Sequence, residues 1–211
     1  TVLIKKGAEA NLYLKDWHGH KVIMKQRPPK KYRVPTLDKA IRFYRTIHES
    51  QLIHKAKETG VPTPTIFMVD IAKTTIIMEF VEGKQIKQIL NDLSSEDRQR
   101  LCRHIGELIG QLHSHGVIHS DLTTSNMILT PQNKVVFVDF GLSERSKELE
   151  VKGVDLHLMK KAFQSTHYKH VSECFDAVMS GYTRVVGDDV AREVLKKIQE
   201  IERRGRYVSE R

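Results

Sequence analysis

"HSDLTTSN", residues 119–126, follows a helical pattern and precedes a short apolar run, and it sets an Asp and an Asn five residues apart. Two readings compete for such a segment: a polar turn of no consequence, or a loop built to move a phosphoryl group. What lies downstream separates them. Thirteen residues beyond Asn126, "DFG" at Asp139, Phe140 and Gly141 closes a second apolar run within "KVVFVDFGL". Each motif is weak alone. In this order, each with an apolar strand beside it and the turn "TPQN" between, they predict a hairpin that brings Asn126 and Asp139 to the same side of one metal site. Phosphoryl transfer demands position and charge compensation more than covalent chemistry. It needs a carboxylate to orient the nucleophile, oxygen ligands for Mg²⁺, a cation on the phosphates and a chain segment covering them.

The upstream residues supply the remaining parts. "VIMK" puts Lys25 at the end of a predicted strand, and Glu49 lies in the long helical pattern that follows. Residues 2–24 alternate as three short β runs, "TVLIKK", "NLYLK" and "KVIMK", with Gly19 suited to the tight turn between the last two. From Leu37 to Thr59 the period becomes helical, with Leu37, Ile41, Tyr44, Leu52, Ile53 and Ala56 as the apolar stripe and Gly60 as the stop. After "GVPTPT" come two more β runs, "IFMVDI" and "TIIMEFV". The next part is mainly helical: Ser95 is the expected N-cap of a helix closed by Gly116, and helices are predicted near 151–165, 171–181 and 188–204. The fold class is α+β in two lobes, residues 1–81 rich in β and residues 82–211 helical, with the boundary at "VEGK", 81–84.

Composition narrows the class further. Hydrophobic residues make up 39% and charged residues 29%, ordinary for a globular chain of 211 residues. No segment approaches the roughly 18 apolar residues of a membrane span, and "TVLIKKGAEA" has no secretory-signal pattern, so a cytoplasmic location without membrane contact is expected. Cys102 and Cys174, 72 positions apart on helical patterns, read as reduced and buried thiols. The eleven histidines lack a spacing that completes a metal site. The excess of nine cations clusters in "KQRPPKKYR", 25–33, and "RRGRYVSER", 203–211, which suits a polyanionic partner or, more plainly, a solvated basic face.

In the order Lys25, Glu49, Asp121, Asn126, Asp139, the chain resembles the protein-kinase superfamily over nearly its whole length. The resemblance implies that Asp121 is the catalytic carboxylate and that Asn126 and Asp139 hold Mg²⁺. It also implies that Lys25, held by Glu49, contacts the α- and β-phosphates of ATP. The "MEFVE" run would be the hinge, with Met78 guarding the back of the pocket, Glu79 and Val81 offering backbone groups to adenine, and Phe80 between them. Gly7, Ala8, Glu9, Ala10 and Asn11 would form the phosphate-covering turn.

The departures are specific. Only Gly7 remains of the usual three glycines, and Glu9 either sets a negative charge near anionic oxygens, holds a cation or closes the loop. Ser120 replaces the Arg that receives an activation-loop phosphate in most regulated kinases, Thr123 replaces the Lys that usually reaches the transferred phosphate, and no A-P-E follows the DFG. "GAEA", "RPPKKYRVPTLD", "EGKQIKQIL", "HSDLTTSN", "DFGLS" and "RGRYVSER" together resemble the small atypical kinase subunits of the KEOPS (EKC) complex, also called the p53-related protein kinase family. That resemblance implies an ATP-using Ser/Thr kinase or ATPase in an assembly that supports formation of N6-threonylcarbamoyladenosine in tRNA, bound to the threonylcarbamoyl-transferase subunit. Arg203, Arg204, Arg206 and Arg211, on a flexible end beyond the last helix, would meet tRNA phosphates. Two alternatives stay open: a scaffold regulated by nucleotide without turnover, and a small-molecule phosphotransferase, for which the 70 residues after Gly141 leave little room.

Overall fold

The computed structural model describes residues 1–209, with side chains described through Arg204. Strands β1 (Val2–Lys6), β2 (Asn11–Trp17) and β3 (His20–Gln26) form an antiparallel meander. The turn between β2 and β3 places His18 and Gly19 at φ 53° and 79°, the mirror-image turn that suits the right-handed twist of a two-residue hairpin. Helix α1 (Pro35–Glu58) then crosses to β4 (Ile66–Asp70) and β5 (Thr75–Glu79), and the sheet order is β1-β2-β3-β5-β4.

Helix α1 opens with Pro35 at its first turn, where a missing N–H costs nothing, and ends before Gly60 at φ 86°. Its inward face differs from the expected stripe. Leu37 and Tyr44 are 56% and 64% exposed, whereas Asp38, Thr46 and Glu49 are buried with Leu52, Ile53 and Ala56. The N-terminal half of α1 faces charged groups of the cleft, so ion pairs replace apolar contacts there. Only the C-terminal half joins the main core, with Ile105, Leu112, Phe137 and Phe140.

Beyond residues 80–83 come β6 (Lys84–Gln85), α2 (Ile86–Ile89), α3 (Ser95–Ser114), β7 (Val117–Ile118), β8 (Met127–Leu129), β9 (Val135–Phe137) and β10 (Glu144–Arg145). Helices α4 (Leu149–Thr166), α5 (Val171–Val186) and α6 (Asp188–Ser209) complete the chain. The hydroxyl of Ser94, one residue before the expected cap, accepts from the Asp97 N–H and starts α3. The small β6-β8-β9 sheet and the β7-β10 pair flank the 119–126 loop. Helix α6 runs through the expected tail: Arg203 and Arg204 stand on it, and Arg204 pairs with Glu150 at 2.6 Å. Helical propensity and the continuing apolar repeat Ala191, Val194, Ile198 carry it on, so these arginines are not beyond the helix. The side chain of Arg206, and Arg211 altogether, lie outside the described residues.

Cys102 of α3 and Cys174 of α5 are free thiols, fully buried where these two helices pack. The helices meet backbone to backbone: a Cβ on Gly106 would lie 1.9 Å from the Val178 carbonyl oxygen, and one on Gly181 1.9 Å from that of Arg103. Gly106→Ala must therefore part the two helices. We expect it to lower unfolding free energy by about 3 kcal/mol or more, with a matching drop in the urea midpoint.

Candidate active site

One buried carboxylate holds the 119–126 loop. Asp155, projecting from α4, accepts the backbone N–H of His119 at 3.0 Å and of Ser120 at 2.8 Å. Its Oδ2 also lies 3.1 Å from His113 Nε2, and the other ring nitrogen of His113 is 3.1 Å from the Tyr182 hydroxyl. This cluster maintains Ser120 at φ 62°, a left-handed conformation that a non-glycine residue keeps only when its surroundings over-determine it. His119 is wholly buried; its Nε2 donates to the Val138 carbonyl at 3.2 Å, and its ring packs on Phe140 with centroids 4.7 Å apart. Burial pushes its pKa below the ordinary imidazole value, against the pull of Asp155, so the ring is a neutral cross-brace.

The hairpin does the rest. Met127 pairs with Phe137, and the Val138 N–H donates to the Asn126 carbonyl at 2.9 Å, which brings Asn126 beside Asp139. The Asn126 Nδ2 donates to Asp121 Oδ2 at 2.7 Å and to the Asp121 carbonyl at 3.0 Å. Its Oδ1 is thereby left as an acceptor. Together with the half-open Asp139 carboxylate, that oxygen suits a hard cation that completes its shell with water and phosphate oxygens. Among the described residues, no group of three or more His, Cys, Asp or Glu side chains is placed to hold a metal ion by itself.

Across the cleft, Lys25 Nζ donates to Glu49 Oε1 at 2.6 Å and to Asp139 Oδ1 at 2.7 Å. Burial opposes the charge on Lys25, but the two carboxylates outweigh it and raise its pKa. Burial likewise opposes the charge on Asp139, and Lys25 outweighs it, so that carboxyl lies below its usual range. Glu49 also receives Arg27, two residues beyond Lys25 on the same face, whose Nη1 donates to Thr46 Oγ1 at 3.4 Å. Sequence reasoning missed Arg27; the available signal was the strand period of two.

The covering turn is closed by the Gly7 N–H donating to the Ala10 carbonyl at 3.0 Å. Of the three roles open to Glu9, the structure shows closure: its Oε1 lies 2.9 Å from Arg33 Nη2 and its Oε2 2.6 Å from Arg45 Nη1. Gly7, Ala8, Glu9 and Ala10 line one end of the cleft with Lys25, Asp121 and Asp139. Asn11 does not; its amide donates to the Tyr13 hydroxyl, and Leu12 takes the lining position instead. The other end is a slot with Ile4, Leu12 and Ile23 from the sheet and Ile128 and Val138 from the hairpin. Met78, Glu79, Phe80 and Val81 border it. The Glu79 N–H is committed to the Thr65 carbonyl at 2.8 Å. A flat apolar slot ending in backbone polar groups, followed by a cationic and carboxylate end, fits a purine nucleotide with Mg²⁺.

The comparisons agree with this geometry. The protein kinase domain model matches residues 7–170. The KEOPS complex subunit Bud32 of Pyrococcus abyssi is 47% identical, over 97% of this chain and 96% of that protein. The chain belongs to the Bud32 family. The EKC/KEOPS complex subunit bud32 of Dictyostelium discoideum is 38% identical over 97% of this chain and 82% of its own length. A probable bifunctional tRNA threonylcarbamoyladenosine biosynthesis protein of Methanothermobacter thermautotrophicus is 44% identical over 97% of this chain, which spans only 36% of that longer protein. As a Bud32 chain, it carries a protein-kinase fold in which β10 and α4 follow the DFG segment closely, with only residues 142–148 between Gly141 and α4. No helix among the described residues is long and apolar enough to cross a membrane.

The buried histidine has a measurable consequence. A group whose folded pKa is depressed contributes stability that is full above its unfolded pKa and is lost as pH falls, because the unfolded chain binds the proton first. His119 therefore destabilises the fold below about pH 6.5, and burial shifts His157 and His167 the same way. Urea unfolding from pH 8 to pH 5 should show this fall. His119→Gln should flatten its slope by up to about 1.4 kcal/mol per pH unit.

Proposed function

We propose that this chain binds Mg·ATP and transfers its terminal phosphoryl group, to water or to Ser/Thr hydroxyls, as the kinase-like subunit of a KEOPS assembly supporting N6-threonylcarbamoyladenosine formation in tRNA. The observation that carries this reading is the convergence of Lys25, Glu49, Asp121, Asn126 and Asp139 on one cleft. In this reading Asp121 orients the attacking hydroxyl or water and accepts its proton. Asn126 Oδ1 and Asp139 hold Mg²⁺, which neutralises charge on the phosphates, and Lys25, kept in place by Glu49, holds the α- and β-phosphates. Glu79 and Val81 receive the purine, and Met78 closes the back of its slot. The relatives named as KEOPS subunits support the assembly, and the threonylcarbamoyl-transferase subunit is the partner we assign. The short 142–148 segment leaves little surface for docking a protein substrate, which favours hydrolysis within the assembly.

Phosphate release and protein labelling from γ-labelled Mg·ATP test this with wild type and Asp139→Asn side by side, before and after adding the transferase partner. We expect the variant to lose about 100-fold or more in turnover, and the wild type to shift toward hydrolysis when the partner is present. Turnover in no condition, with tRNA modification intact, would leave a nucleotide-regulated scaffold.

We assign the basic end of α6 to tRNA phosphates through the assembly. Arg203 is exposed and, among the described residues, bonds only its own helix, to the Gln199 carbonyl, whereas Arg204 is shared with Glu150. Arg203→Gln should reduce the salt slope of tRNA binding to the assembled complex by roughly 0.7–0.9, measured by filter binding across salt concentrations. An unchanged slope would return this arginine to a role in balancing the helix dipole.

A further inference from the structure

The cations around the phosphate end of the cleft are not equivalent. Lys25 is shared by Glu49 and Asp139, and Arg27 is buried against Glu49 and Thr46. Arg33 has Asp38 at 3.6 Å as well as Glu9. Arg45 differs: Glu9 is its one ion-pair partner among the described residues, both side chains are partly solvent-accessible, at 33% and 39%, and both line the same cavity as Lys25, Asp121 and Asp139. Arg45 lies four residues before Glu49 on α1, roughly 6 Å along the helix axis toward the covering turn. Thr123, in the 119–126 loop, brings no cation.

We infer that Glu9 stands in for the terminal phosphate of a nucleoside triphosphate, and that Arg45 is the residue by which the cleft distinguishes triphosphate from diphosphate. This rests on the nucleotide reading above and identifies what that site measures. Burial acts against the charge on Glu9, but Arg33 and Arg45 outweigh it, so the carboxylate is anionic. A terminal phosphate entering beside Asp121 carries more charge and more acceptor oxygens than that carboxylate, and it draws Arg45 away. The two Glu9 oxygens are divided between the two arginines, so losing Arg45 leaves Glu9 tied to Arg33 and the turn in place over the cleft. A diphosphate ends short of Arg45 and leaves the pair closed. The guanidinium thus supplies, from the helix side, the cation that Thr123 lacks.

Calorimetric binding of Mg·ADP and of the Mg complex of a β,γ-imido triphosphate tests this without turnover, using wild type, R45Q, R45K and E9Q. R45Q should weaken triphosphate binding about tenfold or more while ADP binding stays within about twofold, and R45K should recover part of the difference. E9Q removes the charge that competes for Arg45 while keeping an amide oxygen for Arg33, and it should raise the preference for triphosphate over ADP several-fold. Equal losses for both nucleotides in R45Q, or an E9Q preference for triphosphate no greater than that of wild type, would make the clasp a structural tie and overturn the inference. Wild-type protein that binds neither nucleotide would instead remove the nucleotide site itself, and the discrimination with it.

Discussion

The Lys25 ammonium, bonded at once to Glu49 and Asp139, joins three parts of the chain that share little else: strand β3, helix α1 and the segment after β9. Buried ion pairs are weak sources of net stability, because taking the charges out of water offsets much of their attraction. Their value lies in position. Removing Lys25 leaves Asp139 without its cation and cuts the one ammonium that bonds both carboxylates, so Lys25 ties the sheet, the helix and the hairpin into one relative placement. Arg27 adds a second cation to Glu49, and that carboxylate stays neutralised if Lys25 turns toward a ligand.

A second buried carboxylate governs the other wall. Asp155 supplies acceptors to two consecutive backbone N–H groups, at His119 and Ser120, and meets His113, which meets Tyr182. The loop carrying Asp121 and Asn126 is thus fixed through its main chain, while its functional side chains stay free for a ligand and for each other. A neutral His119 braces the same loop against Val138 and Phe140.

Much of this was legible in sequence, and the rest was hidden for definite reasons. Asp121, Asn126 and Asp139 were visible because their spacing is local and a short hairpin carries them together. The five strands and the long helix followed from a change in hydrophobic period. Arg45 and Asp155 were not visible, because what marks them is a partner 36 residues away, which no local pattern announces. The stripe expected on α1 failed at Leu37 and Tyr44 because charged pairing, not burial of apolar area, governs the cleft half of that helix. The basic tail was misplaced because clustered arginines are compatible with continuing helix, and α6 keeps an apolar face to bury.

Between α3 and α5 there is no room even for a methyl group at Gly106 or Gly181. Two backbones in such contact cannot slide or rotate past one another without rupture, so the helical half of the molecule behaves as an anvil. The floor of the slot is similarly fixed, since a Cβ on Gly83 would lie 2.3 Å from the Leu129 carbonyl oxygen. A nucleotide entering the slot therefore meets a floor that does not give, and accommodation falls to the sheet residues above it, Ile4, Leu12 and Ile23.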